Sequence, residues 1–297
     1  MASVGGQALI EGVMMQNGGR VAIAVRRDDG EIVIRDLKSR ARFKRLGDIP
    51  FARGLFRLYD MLSLGIRALN LSASIAFPEE EQLGKGGSIL TFAAAIAIAI
   101  GGFVVLPLYL TNLIPNLHTG NSILFNLVEG LIRIVFFLIY LVAISRMKEI
   151  HRVFQYHGAE HKTVYTYEAK EELTVENARK YTTLHPRCGT AFLMIVLVIS
   201  ILIFSLAGNP TIWLKALSRL LLLPVVAGVS YEALRFSGKS YDDHLWVRIL
   251  TKPGLWLQRL TTAEPTDDML EVAIASIKRV TEPLASPQSG VTESESS

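Results

Sequence analysis

The stretch QYHGAEHKTVYTYE holds His157, Glu160 and His161 in the order H-x-x-E-H. On a helix, His157 and His161 stand one turn apart on one face, so their imidazole nitrogens can grip a single tetrahedral zinc ion. Glu160 projects from nearly the same side. In the inverted zinc-hydrolase arrangement this glutamate is not a ligand; it takes the proton from a water whose pKa the ion has lowered toward neutrality. Such a site needs a third ligand, and the nearest candidates are His185 and Cys188 in TTLHPRCGTAF, where Pro186 suits a first helical position. Four of the six histidines, His151, His157, His161 and His185, fall within this one segment. The alternative is metal-free: histidines at a bilayer edge that hydrogen-bond to phosphate or backbone. Cys188 is also a candidate nucleophile served by His185 or His161, although a lone cysteine there is more often a packed small residue. His244, beside Asp242 and Asp243 in YDDHLW, is a ligand set in principle and reads more simply as a solvated turn.

A second constellation sits inside apolar sequence. An ionisable residue in hydrocarbon is costly unless it is paired or faces a polar interior. Glu129 and Arg133 are one turn apart in LFNLVEGLIRIVFFLIYLVAIS, and Arg219 lies at a similar distance along another apolar run. The expectation is a cluster of Glu129 with Arg133 and Arg219, with Asn126 contributing. An ion-pair staple between helices suits it better than a translocation path, because a transporter would show more polar breaks in its spans.

The elements that must position these groups are membrane helices. Half of the 297 residues are apolar and the mean hydropathy is positive, more than a water-solvated surface needs. Four stretches approach or exceed the roughly 20 residues that a hydrocarbon core of ~30 Å demands. They run about Ser88 to Ile114, kinked at Pro107; Ser122 to Met147; Thr190 to Ala207; and Trp213 to Phe236, the last weakened by Lys215 and Arg219. Lys and Arg in short loops stay cytoplasmic. Many precede the first span, whereas 115–121 and 208–211 carry none, so those two loops face out and both termini face the cytoplasm. The same topology accounts for the net charge of +4, with no basic, aromatic-interleaved stripe for nucleic acid. A single cysteine rules out a disulfide within the chain, and MASVGGQALIEGVMM lacks the layout of a cleavable signal peptide.

The fold class expected is therefore mainly α: a polytopic membrane protein of about four transmembrane helices with a small cytoplasmic α+β portion. Residues 1–50 form a cytoplasmic region with a β-hairpin around Asp28-Asp29-Gly30. Residues 51–87 form an amphipathic helix that lies in the headgroup plane or packs on the hairpin. Spans occupy 88–147 and 190–236, on either side of a His-rich cytoplasmic loop at 148–189. A helical region follows at 237–280, with Thr266 or Asp267 as a helix cap, and the tail at 281–297 reads as disordered.

The blocks GGQALIEGVMMQ, FNLVEGLIRI, RVFQYHGAEHKTVYTYE, LHPRCGTAFL and GLWLQRLTT resemble the YqhQ-like family of bacterial membrane proteins, over about Val4 to Val280. The resemblance implies an integral inner-membrane protein in a family described as predicted metal-dependent enzymes. Its signature segments are those holding Glu11, His157, Glu160, His161, His185 and Cys188. Glu11 is then a carboxylate ligand or a group that orients the ligands, or alternatively a solvated or turn-capping glutamate. Gly5, Gly6 and Gly12 around it are consistent with tight turns or close backbone approach.

The function expected is a metal-dependent membrane hydrolase, with a peptidase as one form of it. A divalent metal, zinc first, is bound by His157, His161 and either His185 or Cys188, and Glu160 is the general base. The bilayer is its surroundings and a peptide or membrane protein its substrate. The rival is a non-catalytic scaffold or assembly factor in which the same residues form a closed four-ligand zinc site or hold no metal. A small transporter, which needs a polar path through Glu129, fits these apolar spans less well.

Overall fold

The computed structural model describes residues 4–38, 52–77, 85–115, 117, 122–206, 211–240 and 244–282. Four strands open the chain: β1 (Gly5–Leu9), β2 (Gly12–Asn17), β3 (Arg20–Arg26) and β4 (Ile32–Lys38). They form an antiparallel meander in the order β1-β2-β3-β4. The two strands read from the sequence around Asp28-Asp29-Gly30 are the last two of it. The first two escaped notice because GGQAL and GVMMQN carry glycines and no strict apolar–polar alternation.

The inner strands β2 and β3 are covered on both faces, which explains the near-continuous apolar run of β3. Helix α1 (Ala52–Ala76) lies on one face, where Leu64, Ala68 and Ala76 pack with Leu9, Met14, Val21, Ile23 and Val25. On the other face Val13, Met15, Ala22 and Ala24 meet Tyr156 and Ala159 of α5 (Lys148–Glu168), and Met269, Ala273 and Ile277 of α10 (Asp267–Thr281). Successive strand residues point to opposite faces, so β3 divides Val21, Ile23 and Val25 from Ala22 and Ala24. Helix α10 has Asp267 and Asp268 in its first turn and Lys278 and Arg279 in its last, each complementing the helix dipole. Thr266 is its N-cap by backbone conformation, and the hydroxyl makes no capping hydrogen bond.

The remaining helices are α2 (Lys85–Ile100), a π-helical turn at Gly101–Val105, α3 (Leu106–Asn112), α4 (Ser122–Ser145), α6 (Val175–Arg179), α7 (Thr190–Leu206), α8 (Ile212–Ser240) and α9 (Leu245–Thr261). Among the described residues, three helical stretches are long and apolar enough to cross a membrane: Leu90–Asn112, Ser122–Ser145 and Trp213–Phe236. Helix α7, where a further span was expected, is a shorter apolar helix of 17 residues. Pro107 produces a local rearrangement within the first stretch. It has no N–H to give the carbonyl of Phe103 four residues earlier, the helix widens to the π form just before it, and that carbonyl accepts Arg133 Nε at 2.9 Å.

Several expected boundaries move. The His-rich stretch at 148–189 is mostly helix, as α5 and α6, and α8 runs on past Phe236 to Ser240. The amphipathic helix expected to reach 87 ends at Ala76, and the helix of the first apolar stretch begins at Lys85. The tail beyond 282, and Asp242 and Asp243, lie outside the described residues.

Candidate metal centre

Helix α5 carries the H-x-x-E-H residues on the side facing the α7 end and α9. His157 Nδ1 lies 2.8 Å from the Thr261 carbonyl at the end of α9. A carbonyl only accepts, so this bond places the ring proton on Nδ1 and leaves Nε2 as a lone pair. His161 repeats the pattern, with Nδ1 donating to the Thr183 carbonyl. Its Nε2 is buried and has no hydrogen-bond partner among the described residues. An orphaned buried acceptor is expensive, and a metal ion would satisfy it.

The third member is Cys188. Its Sγ is 3.2 Å from His157 Nε2, and one ligand atom from each of His157, His161 and Cys188 lies within 4.8 Å of the others. Cys188 stands two residues before α7, and its sulfur receives the Thr190 backbone N–H at 3.4 Å and contacts the Thr190 hydroxyl at 3.2 Å. Two imidazole nitrogens and one cysteine sulfur, converging within 4.8 Å, are a donor set that fits a zinc ion.

His185 is held differently. Its Nδ1 accepts the Arg187 backbone N–H at 3.3 Å, so in the neutral ring the proton sits on Nε2, which is buried without a hydrogen-bond partner among the described residues, 3.5 Å from a Glu168 carboxylate oxygen. Burial, helped by His161 and Arg187, pushes its pKa down to about 3. Its ring centroid is 5.5 Å from that of His161, so it flanks the trio without joining it.

Glu160 is buried beside the trio, with one carboxylate oxygen 3.5 Å from His161 Nε2. Burial pushes its pKa up to about 7, against the opposing pull of His157 and the Gly6 backbone amide. Strand β1 closes over it: a Cβ on Gly6 would stand 2.6 Å from Glu160 Cγ and 2.7 Å from the Met14 carbonyl. A side chain there would displace backbone as well as the carboxylate, so this approach requires glycine.

Glu11 does not reach the trio. It occupies the β1–β2 turn with φ 50°, and its carboxylate takes two hydrogen bonds from Arg152 and one from Tyr156 at 3.3 Å. Arg152 and Tyr156 precede the motif on α5, so Glu11 anchors the helix that carries the ligands. His151 lies exposed on the same helix and His244 exposed at the head of α9.

The residues that sequence reasoning missed lie on α9. Gln258 is fully buried; its Oε1 accepts the His185 backbone N–H at 2.8 Å and its Nε2 donates to the His185 carbonyl at 2.9 Å. The same carbonyl accepts the Cys188 N–H at 3.2 Å. One turn later comes Thr261, whose carbonyl orients His157. The signal available was their place in GLWLQRLTT, one of the blocks that carry the family resemblance.

Away from this site, Glu129, Arg133, Arg219 and Asn126 meet inside the helical bundle. Arg219 Nη2 donates to Glu129 Oε2 at 2.7 Å and to Asn126 Oδ1. Arg133 donates to the other Glu129 oxygen and to Ser200 Oγ at 3.3 Å. The Phe204 ring faces both guanidiniums, at 5.2 and 4.7 Å from their central carbons.

The sequence matches the family of proteins of unknown function DUF1385 over residues 49–283. It is 33% identical over 292 residues to the "Uncharacterized protein YqhQ" of Bacillus subtilis (strain 168), covering 93% of this chain and 91% of that one. The chain belongs to this family. The DUF1385 match takes in α5, the Cys188 turn and α9, hence all three converging ligand atoms and their supports, and leaves β1 to β4 outside it. The similarity to the Bacillus protein covers nearly the whole chain. No solved structure matches.

Proposed function

We propose that the chain is a multi-pass protein of a bacterial inner membrane, its termini in the cytoplasm, and that it is a metal-dependent hydrolase. His157 Nε2, His161 Nε2 and Cys188 Sγ bind one zinc ion, and Glu160 is the general base. The observation that carries the reading is the convergence of those three atoms within 4.8 Å, with both remaining imidazole nitrogens held by backbone carbonyls. With three protein ligands, a zinc ion bound there would have room for a water, as a catalytic zinc requires. The proton on His185 Nε2, directed at Glu168, favours this over a closed four-ligand scaffold site.

Zinc held there supplies a Lewis acid that lowers the pKa of a water toward neutrality. Glu160, whose carboxyl burial raises to about 7, would take a proton from the attacking water and return it to the leaving group. The Thr183 and Thr261 carbonyls keep both imidazoles in the tautomer that presents Nε2. An open apolar depression of about 450 Å³ lies between α4 and α9, lined by Leu138, Ile139, Val142, Trp256 and Leu260 with Arg146. A peptide or membrane protein is the substrate class this reading takes.

Elemental mass spectrometry on detergent-purified protein, prepared without chelator, tests the reading. Zinc near one per chain is expected, lost in His157→Ala, His161→Ala and Cys188→Ala and retained in Glu160→Gln. Metal that is absent, or indifferent to all four changes, overturns it. A second reading rests on the 3.2 Å contact between Cys188 Sγ and His157 Nε2, a thiol–imidazole pair able to act as nucleophile and base without metal. In that case stoichiometric iodoacetamide labelling of metal-free wild type at neutral pH slows sharply in His157→Ala.

A further inference from the structure

Helix α1 has two apolar faces, and the sheet accounts for one. Leu64, Ala68 and Ala76 close the sheet core. Leu55, Leu62, Ile66 and Leu69 recur at helical spacing along another side and are exposed, Leu62 at 57%. Nothing among the described residues covers them. The helix is not itself a span, because Arg53, Arg57, Asp60 and Arg67 interrupt it and it is absent from the stretches able to cross a membrane.

Its depth is set by α8. A Cβ on Gly54 would stand 2.8 Å from Tyr231 Cβ and 3.1 Å from Gly228 Cα, so the two backbones touch at that crossing. Arg53 forks onto Glu232 with bonds of 2.6 and 2.5 Å. Gly228, Tyr231 and Glu232 all belong to the apolar stretch Trp213–Phe236. The start of α1 is thus pinned at the level of a span, and that span itself exposes Leu221, Leu223 and Val225.

Charge identifies the partner. From Arg40 to Arg67 the sequence holds seven Lys and Arg against two Asp; Arg40, Arg42, Lys44 and Arg45 precede α1 and lie outside the described residues, and of the three on α1, Arg53 is taken by Glu232. An apolar stripe combined with a basic excess is the chemistry of a helix seated at an anionic bilayer surface. We infer that α1 is a membrane-surface helix, with Leu55, Leu62, Ile66 and Leu69 among the acyl chains at the end of α8 and its basic residues on anionic headgroups. The inference rests on reading the apolar helices as membrane spans. The sheet, and with it the β1 cover over Glu160, is then carried against the leaflet by α1.

The test is spin-label accessibility on the full chain in nanodiscs of phosphatidylcholine and phosphatidylglycerol at roughly 7:3. A Cys188→Ser background carries single substitutions Leu55→Cys, Leu62→Cys, Ile66→Cys or Leu69→Cys, with Arg57→Cys and Arg67→Cys as polar references. Leu131→Cys on α4 reports on a span. The ratio of oxygen to nickel-chelate accessibility is expected to be several-fold higher at the four stripe positions than at the two arginines, and to fall at Leu62→Cys when phosphatidylglycerol is omitted. Stripe labels as open to nickel as the arginine positions overturn the inference, as does an unchanged ratio without anionic lipid. A dipolar distance under ~20 Å between Leu62→Cys labels, with low oxygen access, assigns the stripe to a second copy and overturns it too. A water-accessible Leu131→Cys label would instead sink the membrane reading itself.

Discussion

Glu160 is a carboxylate whose environment opposes its charge. Burial raises its pKa from 4.5 to about 7, so in the metal-free protein the folded state holds its proton over a range where the unfolded chain has released it. This favourable contribution is present below about pH 4.5 and is lost as pH rises toward 7. Glu160→Gln, which cannot ionise, is therefore expected to melt higher than wild type at pH 8 in chelator-treated protein and to match it at pH 4. Calorimetry at both pH values checks this, and equal gaps at the two would show that the carboxylate is not desolvated. Gln258 acts at the same scale by clamping the His185 backbone that in turn holds Cys188. Removing groups that orient ligands typically costs 10–100-fold in metal affinity, so Gln258→Leu should lower zinc affinity by roughly that factor. Competition with a chromogenic chelator would measure it, with the helical circular-dichroism signal retained.

Between elements, the site depends on how closely 261–263 runs along α5. The Ala263 N–H donates to the Phe154 carbonyl at 2.9 Å, and a Cβ on Gly158 would stand 2.1 Å from the Ala263 carbonyl oxygen. Backbone cannot swing aside as a long side chain can, so Gly158→Ala must push α5 away from the strap that also carries Thr261. Overpacking of this kind costs about 1–3 kcal/mol. Both a lower melting temperature and weaker zinc binding are expected; a variant with wild-type zinc binding would show that the strap does not position His157. Gly19→Ala, where a Cβ meets nothing within 4 Å, should change neither.

For the molecule as a whole, the charged cluster in the bundle ties together distant parts of the chain. Glu129 is shared by Arg133 of its own helix and Arg219 of α8, while Ser200 of α7 and the Phe103 carbonyl bind Arg133 as well. Glu129→Gln leaves two buried guanidiniums facing each other, a loss of about 3–5 kcal/mol for a broken buried pair. Replacing Glu129, Arg133 and Arg219 together by leucine removes the charges along with their attraction and should recover most of that stability. Thermal unfolding in detergent compares the two variants. A triple variant no more stable than Glu129→Gln would mean that the cluster contributes more than an ion-pair staple.

Much of this protein is local in origin and can be read along the chain. The apolar runs of α4 and α8 announce helices of membrane length because only composition and length enter. His157 and His161 face one way because a helix repeats every 3.6 residues. The β3–β4 hairpin is legible from Asp28-Asp29-Gly30, where Gly30 takes a φ of 87° that other residues rarely adopt. Tertiary structure decided what depends on partners far apart in sequence. That Cys188 rather than His185 joins the two histidines follows from an α9 glutamine clamping the turn and from Arg187 turning the His185 ring toward Glu168. That Glu11 anchors α5 instead of facing the trio follows from Arg152 taking both its oxygens. These choices are settled by which hydrogen bonds and charges meet once the sheet, α5 and α9 are packed, and no local periodicity in the chain encodes them.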